Sequence, residues 1–328
     1  MLATSVWPIT IDDAHAARAR IAPHMPVSPL YSYPLLDEWI ERGIQLHVKH
    51  ENFNPTGSFK VRNGLSFMGA MDAGARARGV VAATRGNHGL GLAYAGRIQG
   101  VRCTICVPLG NNPDKNAGMR ALGAEVIEEG RDYDESVQVA NRIVQQTGAT
   151  LAHSTNNREI IAGAATLSLE LFEQAPALDA LVVAVGGGSQ AVGALTVARA
   201  LRPSVAVYAV QAEGASASHD SYHAGHMIAK DRADTFADGL ATRSAYELTL
   251  PALREGLADF ITVTDAEIAG ALRALLRTTH SLVEGAGAAG LAGAYKLRDQ
   301  LAGQHVGIIV SGGNIDAATL IRILNREI

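Results

Sequence analysis

Lys49-His50-Glu51-Asn52-Phe53-Asn54-Pro55-Thr56-Gly57-Ser58-Phe59-Lys60-Val61-Arg62-Asn63-Gly64 is the stretch on which the reading of this chain turns. Before it, Leu46 and Val48 alternate as the apolar positions of a strand do. They give way to Asn-Phe-Asn-Pro-Thr-Gly, a cluster of turn formers. A helical pattern starts near Ser58, which puts Lys60 in its first turn. An ammonium sits poorly there, because the amino end of a helix carries partial positive charge. The mismatch predicts a depressed pKa and a neutral, nucleophilic amine.

Three later segments have the same form, a strand running into a turn. Thr84-Arg85-Gly86-Asn87-His88-Gly89 follows a strand pattern and opens a helix, so its N–H groups suit an anion such as a carboxylate. Val182-Val183-Ala184-Val185 runs into Gly186-Gly187-Gly188-Ser189, where glycines let successive N–H groups converge on a phosphate. Gly307-Ile308-Ile309-Val310 ends in the polar turn Ser311-Gly312-Gly313-Asn314. A fourth glycine run, Gly285-Ala286-Gly287-Ala288-Ala289-Gly290, spells a dinucleotide fingerprint without its context. Residues Asp265 to Glu284 before it read as helix instead of strand, so close helix packing is the better reading.

Taken in this order, the segments resemble the threonine/serine dehydratase family of pyridoxal-phosphate enzymes, fold type II, similar to the tryptophan synthase β chain. Lys49-His50-Glu51 with Thr56 to Arg62 carries the likeness, and Ser28-Pro29-Leu30 is similar to the Thr-Pro-Leu that precedes the lysine motif in that family. The resemblance implies that Lys60 is the catalytic residue and forms the Schiff base with pyridoxal 5'-phosphate. Phe59 then packs on one face of the ring and Gly239 faces the other. Asn87 would bond the phenolic oxygen, and Gly186, Gly187, Gly188 and Ser189 would hold the phosphate. Glu284 would lie near the ring and Ser311 would meet the pyridine nitrogen. Thr84, Arg85, Asn87 and His88 fall to the substrate, and Arg85 departs from the serine that racemising relatives carry there. A guanidinium cannot accept and return a proton, so elimination is expected over racemisation.

The implied activity is elimination from a β-hydroxy amino acid such as threonine or serine, giving a 2-oxo acid and ammonia. Its course has Lys60 as the base and the cofactor phosphate as proton donor to the leaving hydroxyl. Arg85 would also suit a hydroxyaspartate, by pairing with its carboxylate, or an aryl serine, by stacking. The alternatives are a β-replacing synthase or an amino-acid racemase of the same fold, and, from another class, a non-catalytic α/β ligand-binding module. Some relatives bind a divalent cation at positions that correspond to Glu213, Ala217 and His219. Imidazole in place of a hard oxygen ligand weakens that case, and no metal is assigned.

Short β-branched runs alternate with helical patterns through the chain, which calls for parallel sheets covered by helices. Strands are expected at 79–84, 103–107, 125–127, 180–185, 205–210 and 305–310, and a helix at 10–22. Further helices are expected at 90–99, 115–122, 133–146, 158–172 and 190–201. No composition shift marks a boundary. The resemblance implies two open, parallel-rich α/β lobes, a small one of residues 65–155 inserted in a large one of 1–64 and 156–328, with the cofactor between them.

A formal charge of −4 with scattered signs provides no basic surface for nucleic acid. No apolar run reaches membrane-spanning length and no leader pattern opens the chain, so a cytoplasmic protein is expected. Homodimers are usual in the family. The chain ends at Ile328 soon after the Ser311 turn, and no appended regulatory domain is expected. Cys103 and Cys106, the two cysteines, stand an odd number apart on one strand, so they point to opposite faces as buried, inert thiols.

Overall fold

The computed structural model describes residues 6–328. Among the described residues ten strands form two sheets: β1 (Leu30–Tyr31), β2 (Gln45–His50), β3 (Val80–Ala83), β4 (Cys103–Val107), β5 (Glu125–Glu128), β6 (Thr150–Leu151), β7 (Ala180–Ala184), β8 (Ala206–Ala212), β9 (Asp259–Val263) and β10 (His305–Val310). The larger sheet has the order β1-β2-β10-β7-β8-β9 and the smaller β5-β4-β3-β6. All pairings are parallel except β1 with β2. The smaller sheet is drawn wholly from the chain between β2 and β7.

Both sheets are covered on two faces, as parallel sheets must be. Val182, Val210 and Ile308 of the larger sheet join one core, and Leu181, Val183, Ala209 and Ile309 join another. The period of two repeats in the smaller sheet, with Val80, Ala82, Cys103 and Ile105 on one side and Val81, Ala83 and Cys106 on the other. The cysteines are free, buried and on opposite faces, and burial pushes their pKa values to about 12 and about 11.

Parallel order sends the carboxyl ends of β2, β10 and β7 in one direction, and there the chain delivers the Lys60 turn, Ser311 and the glycine run. Val310 pairs with His50 in register, and a bridge from Ser58 to Gly312 extends the contact beyond the strands. Phe59 N–H donates to the Ser311 carbonyl at 2.9 Å, and Gly313 N–H to the Gly57 carbonyl at 2.9 Å. The helix itself runs Lys60–Gly69, so Lys60 is its first residue.

Beneath this turn lies a buried cluster of two cations and two carboxylates. Arg62 donates to Glu51 Oε2 (2.8 Å) and Oε1 (2.9 Å), and to Glu170 Oε1 (2.7 Å) and Oε2 (2.8 Å). Lys49 Nζ reaches Glu170 Oε2 at 2.8 Å, the Ser28 carbonyl at 2.8 Å and Gln174 Oε1 at 2.7 Å. Ser28 Oγ donates to Glu51 Oε1 at 2.6 Å and Asn54 Nδ2 to Glu51 Oε2 at 2.6 Å. Opposite charges in equal number, each with several hydrogen bonds, are what makes such burial tolerable. The cluster ties β2, the turn after it, the helix Lys60–Gly69 and the helix Arg158–Gln174 into one body.

The structure corrects several boundaries. The helix expected across 265–284 ends at Thr279, where His280 takes a left-handed conformation (φ 54°). Thr278 and Thr279 turn their hydroxyls back on the carbonyls of Ala274 and Leu275, which weakens continuation. A separate helix, Gly285–Lys296, starts after Glu284. Its glycines serve packing: a Cβ on Gly287 would stand 2.6 Å from the Gly312 carbonyl oxygen, and one on Gly293 3.0 Å from Val210. Pro34 opens a helix that was not among those expected, Pro34–Ile40, since its fixed φ suits a first helical residue. Strands β1, β6 and β9 have no counterpart among the expected ones; the first two have two residues each, too short for an alternation to register.

Removing one member of the buried cluster should cost more than any surface change. Arg62→Leu leaves two carboxylates buried without their shared donor, and is expected to lower unfolding free energy by roughly 3–5 kcal/mol in urea titrations. A loss below about 1 kcal/mol would contradict the role given to the cluster.

Candidate active site

A cleft of about 620 Å³ opens at the carboxyl ends of the two sheets. Lys60, Phe59, Thr84, Arg85, Asn87, His88, Gly186, Gly187, Gly188, Ser189, Gly239, Glu284 and Ser311 all line it. Residues scattered over more than two hundred positions thus converge on one space.

Lys60 projects its Nζ over the Phe59 ring, 4.8 Å from the centroid, and has no hydrogen-bond partner among the described residues. Burial, opposed by the charge of Glu284, lowers its pKa to about 8. The helix terminus pointed in the same direction; crowding by protein is the larger cause. Glu284 behaves as the mirror image. Burial, against the pull of Lys115 and a hydrogen bond from Asn87, raises its carboxyl to about 7. The two groups approach each other in proton affinity, the condition for passing a proton between them and a bound molecule at neutral pH.

Asn87 is the first residue of the helix Asn87–Gln99 and its amide is fixed at both ends. Nδ2 donates to Glu284 Oε1 at 2.7 Å, while Oδ1 accepts from Asn314 Nδ2 at 2.8 Å. Asn314 also donates to the Thr56 carbonyl at 2.8 Å, so the chain of amides ends on the turn before Lys60. Thr84 is buried, and its hydroxyl accepts the Gly86 N–H at 3.1 Å, which shapes the loop. His88 is buried too, its Nε2–H donating to the Ala152 carbonyl at 2.9 Å. Burial and then the Lys60 charge push it down to about 3, so it stays neutral and acts as an anchor for the loop. Arg85 is exposed at the cleft and makes no hydrogen bond or ion pair among the described residues.

Gly188 takes a left-handed conformation (φ 97°) as the cap of the helix Ser189–Leu201. The carbonyls of Gly186 and Gly187 are occupied by the hydroxyls of Ser218 (3.1 Å) and Thr249 (2.8 Å). Among the described residues the N–H groups of 186–189 find no acceptor. A Cβ on Gly186 would overlap the Gly239 carbonyl oxygen, so the run and the Gly239 segment are packed backbone to backbone. Orphaned N–H groups at the start of a helix form an anion site.

Several lining residues escaped sequence reasoning. Lys115 pairs with Asp238 at 3.0 Å and Arg243 with Asp134, two ion pairs that join the smaller-sheet segment to the loop before the helix Leu250–Gly256. His153, Thr155, Tyr133 and Tyr246 also face the cleft. The rule that ligands gather beyond strand ends would have found His153, had the two-residue β6 been visible. At the positions considered for a cation, His219 Nδ1 lies 2.8 Å from Asp220, which also pairs with Lys230. Among the described residues no group of three or more His, Cys, Asp or Glu side chains is arranged to hold a metal ion.

The family model described as "Pyridoxal-phosphate dependent enzyme" matches residues 21–312. The chain is similar to an L-threonine ammonia-lyase of Thermotoga maritima, 35% identical over 97% of this chain and 79% of that one. It is 36% identical to an L-threo-3-hydroxyaspartate ammonia-lyase of a Pseudomonas species, over 88% of this chain and 90% of that one. Among solved structures, maize serine racemase superposes with a TM-score of 0.92 at 32% identity, over 98% of each chain.

The residues present fit pyridoxal phosphate. An unpartnered amine at Lys60 suits an aldehyde, the orphaned N–H groups of 186–189 suit a phosphate, and the Phe59 ring lines the same cleft, an apolar surface suited to a flat ring. Only the neutral amine attacks an aldehyde, and the Lys60 pKa is lowered, so reactivity must be present above about 8 and fade as pH falls through it. Uptake of pyridoxal phosphate by the apo protein, followed by absorbance in stopped flow, is expected to show that midpoint. A midpoint near the ordinary lysine value of 10.5 would contradict the burial argument.

Proposed function

This chain belongs to the pyridoxal-phosphate-dependent enzyme family, and we propose that it eliminates the hydroxyl of a β-hydroxy amino acid to give a 2-oxo acid and ammonia. Bound pyridoxal phosphate supplies the electron sink that makes the α-proton of the substrate acidic. Lys60 anchors the cofactor and, displaced by the substrate amine, takes the α-proton at Nζ. The observation that carries the reading is this unpartnered amine, with its pKa lowered to about 8, in a cleft opposite a carboxyl raised to about 7. Asn87 orients the ring through the amide that Glu284 and Asn314 hold in place. Ser311 meets the ring nitrogen with a neutral hydroxyl, which favours prompt loss of a β-substituent over a long-lived carbanion. The Thr84–His88 loop grips the α-carboxylate, with Thr84 and His88 locking its shape. The water lost on elimination is regained on hydrolysis of the enamine, so the net products are the 2-oxo acid and ammonium.

Arg85 supports two finer readings. Its free guanidinium at the cleft is matched to a second carboxylate, in line with the likeness to a hydroxyaspartate ammonia-lyase, and β-hydroxy acids with an acidic side chain are the favoured substrates. Being permanently protonated, it also cannot exchange a proton on the second face, so racemisation is suppressed despite the likeness to serine racemase. Residues 65–155 form the small lobe and 1–64 with 156–328 the large one, and the enzyme works as a homodimer in the cytoplasm. Among the described residues no helix is long and apolar enough to cross a membrane.

The tests use 2-oxo acid formation. Lys60→Ala is expected to lose at least about 10³-fold in turnover of serine, threonine and 3-hydroxyaspartate, because the other lysines lining the cleft, Lys115 and Lys230, are held in ion pairs with Asp238 and Asp220. Retained turnover would sink the assignment. Arg85→Ser is expected to lower kcat/KM for 3-hydroxyaspartate by about 10-fold or more while sparing serine, and to raise exchange of serine enantiomers. Substantial racemisation by the unmutated enzyme would show that this reading of Arg85 is wrong.

A further inference from the structure

Beyond β6 the chain passes Ala152, buried in the core, and enters the cleft through His153, Ser154 and Thr155. His153 Nδ1 accepts two backbone N–H groups, from Thr155 at 3.0 Å and from Asn156 at 2.9 Å. That is the bonding an Asp or Asn side-chain oxygen makes at a turn. Two donors aimed at Nδ1 leave it without a proton, so the ring is the neutral tautomer with hydrogen on Nε2. The ring is held edge-on to Tyr246, with centroids 5.4 Å apart and planes at 77°. It is half-buried, it lines the cleft, and its Nε2–H has no acceptor among the described residues. Thr155, two positions on, packs against Gly187 of the glycine run, and the charge of Lys60 is felt at the imidazole, whose pKa burial already lowers.

An asparagine would make the same turn with a shorter side chain. What histidine adds is a rigid donor on the far edge of a ring that lines the cleft. We propose that His153 Nε2–H is the hydrogen-bond donor to the departing β-oxygen of the substrate, and so fits the site to a hydroxyl as leaving group. The inference rests on the elimination reading above. As the Cβ–O bond breaks, its electron pair goes to oxygen, and a fixed donor stabilises the charge developing there. His153 gives up no proton in this step. The proton that Lys60 has taken from Cα passes to the hydroxide, and water leaves.

The test compares leaving groups in the holoenzyme. His153→Asn keeps the turn acceptor and removes the cleft donor. With L-serine, kcat/KM for pyruvate formation is expected to fall about 10- to 100-fold. With β-chloro-L-alanine, whose chloride needs no donor, it is expected to stay within about 3-fold, and affinity for pyridoxal phosphate by fluorescence titration should be unchanged. Equal losses for the two substrates, weakened cofactor binding, or no loss with serine would each overturn the proposal. A wild-type holoenzyme that forms a 2-oxo acid from none of L-serine, L-threonine, 3-hydroxyaspartate and β-chloro-L-alanine would instead overturn the elimination reading, and this inference with it. Independently of any substitution, 15N-histidine spectra of the wild-type holoenzyme should show His153 as the Nε2–H tautomer. A proton on Nδ1 would contradict the geometry.

Discussion

Four buried charges hold the place from which the rest of this molecule is arranged. Arg62 and Lys49 on one side, Glu51 and Glu170 on the other, are drawn from three separate parts of the chain and exclude water from their contacts. An apolar cluster of the same volume would be as stable or more so, but it would not specify which atom meets which. The bidentate contacts of Arg62 do specify it: they set the rotation of the helix Lys60–Gly69 against the helix Arg158–Gln174, and with it the direction in which Lys60 points. Close packing fixes the rest. A Cβ on Gly64 would overlap the Gly91 carbonyl, and one on Gly91 the Lys60 carbonyl, so the helix that begins with Lys60 lies backbone to backbone on the helix that begins with Asn87.

From that anchoring the electrostatics of the cleft follow. A lysine at a helix start, crowded by protein, is easier to deprotonate, and a glutamate sealed behind Asn87 is harder to ionise. Each shift comes from burial; the Glu284 charge opposes the first, and Lys115 with the Asn87 hydrogen bond opposes the second. The chain of amides from Thr56 through Asn314 and Asn87 to Glu284 then couples the two loops that hold these groups. His88 and His153, on either side, are kept neutral by burial and the nearby Lys60, so the cleft carries donors without added positive charge beside the amine.

Much of this was legible in the sequence, for a physical reason. Parallel sheets place ligands at strand ends, strand ends are marked by glycines and small polar residues, and the four marked turns met in one cleft. Strands β4 and β10 were read to the residue and β3, β5, β7 and β8 to within two, because β-branched runs bounded by turn formers are a strong local signal. What escaped lies where the signal is tertiary. Lys115 and Arg243 look like solvated cations until the fold sets them beside Asp238 and Asp134. His153 follows a strand of two residues, and Glu170 sits within a helix whose pattern says only that one face is buried. The helix expected through Glu284 failed for a local reason, since the Thr278 and Thr279 hydroxyls bond back to the carbonyls of Ala274 and Leu275, which loosens the last turn, and His280 then leaves the helix in a left-handed conformation.

The claim on which everything else depends is that Lys60, delivered by the buried charges to the floor of the cleft, is the amine that holds the cofactor. Borohydride reduction of the pyridoxal-phosphate-loaded enzyme, followed by peptide mapping, tests it directly. The account predicts one modified peptide, containing Lys60, and none in the Lys60→Ala variant. Labelling confined to another lysine, such as Lys115, or no labelling of a fully loaded enzyme, would contradict it.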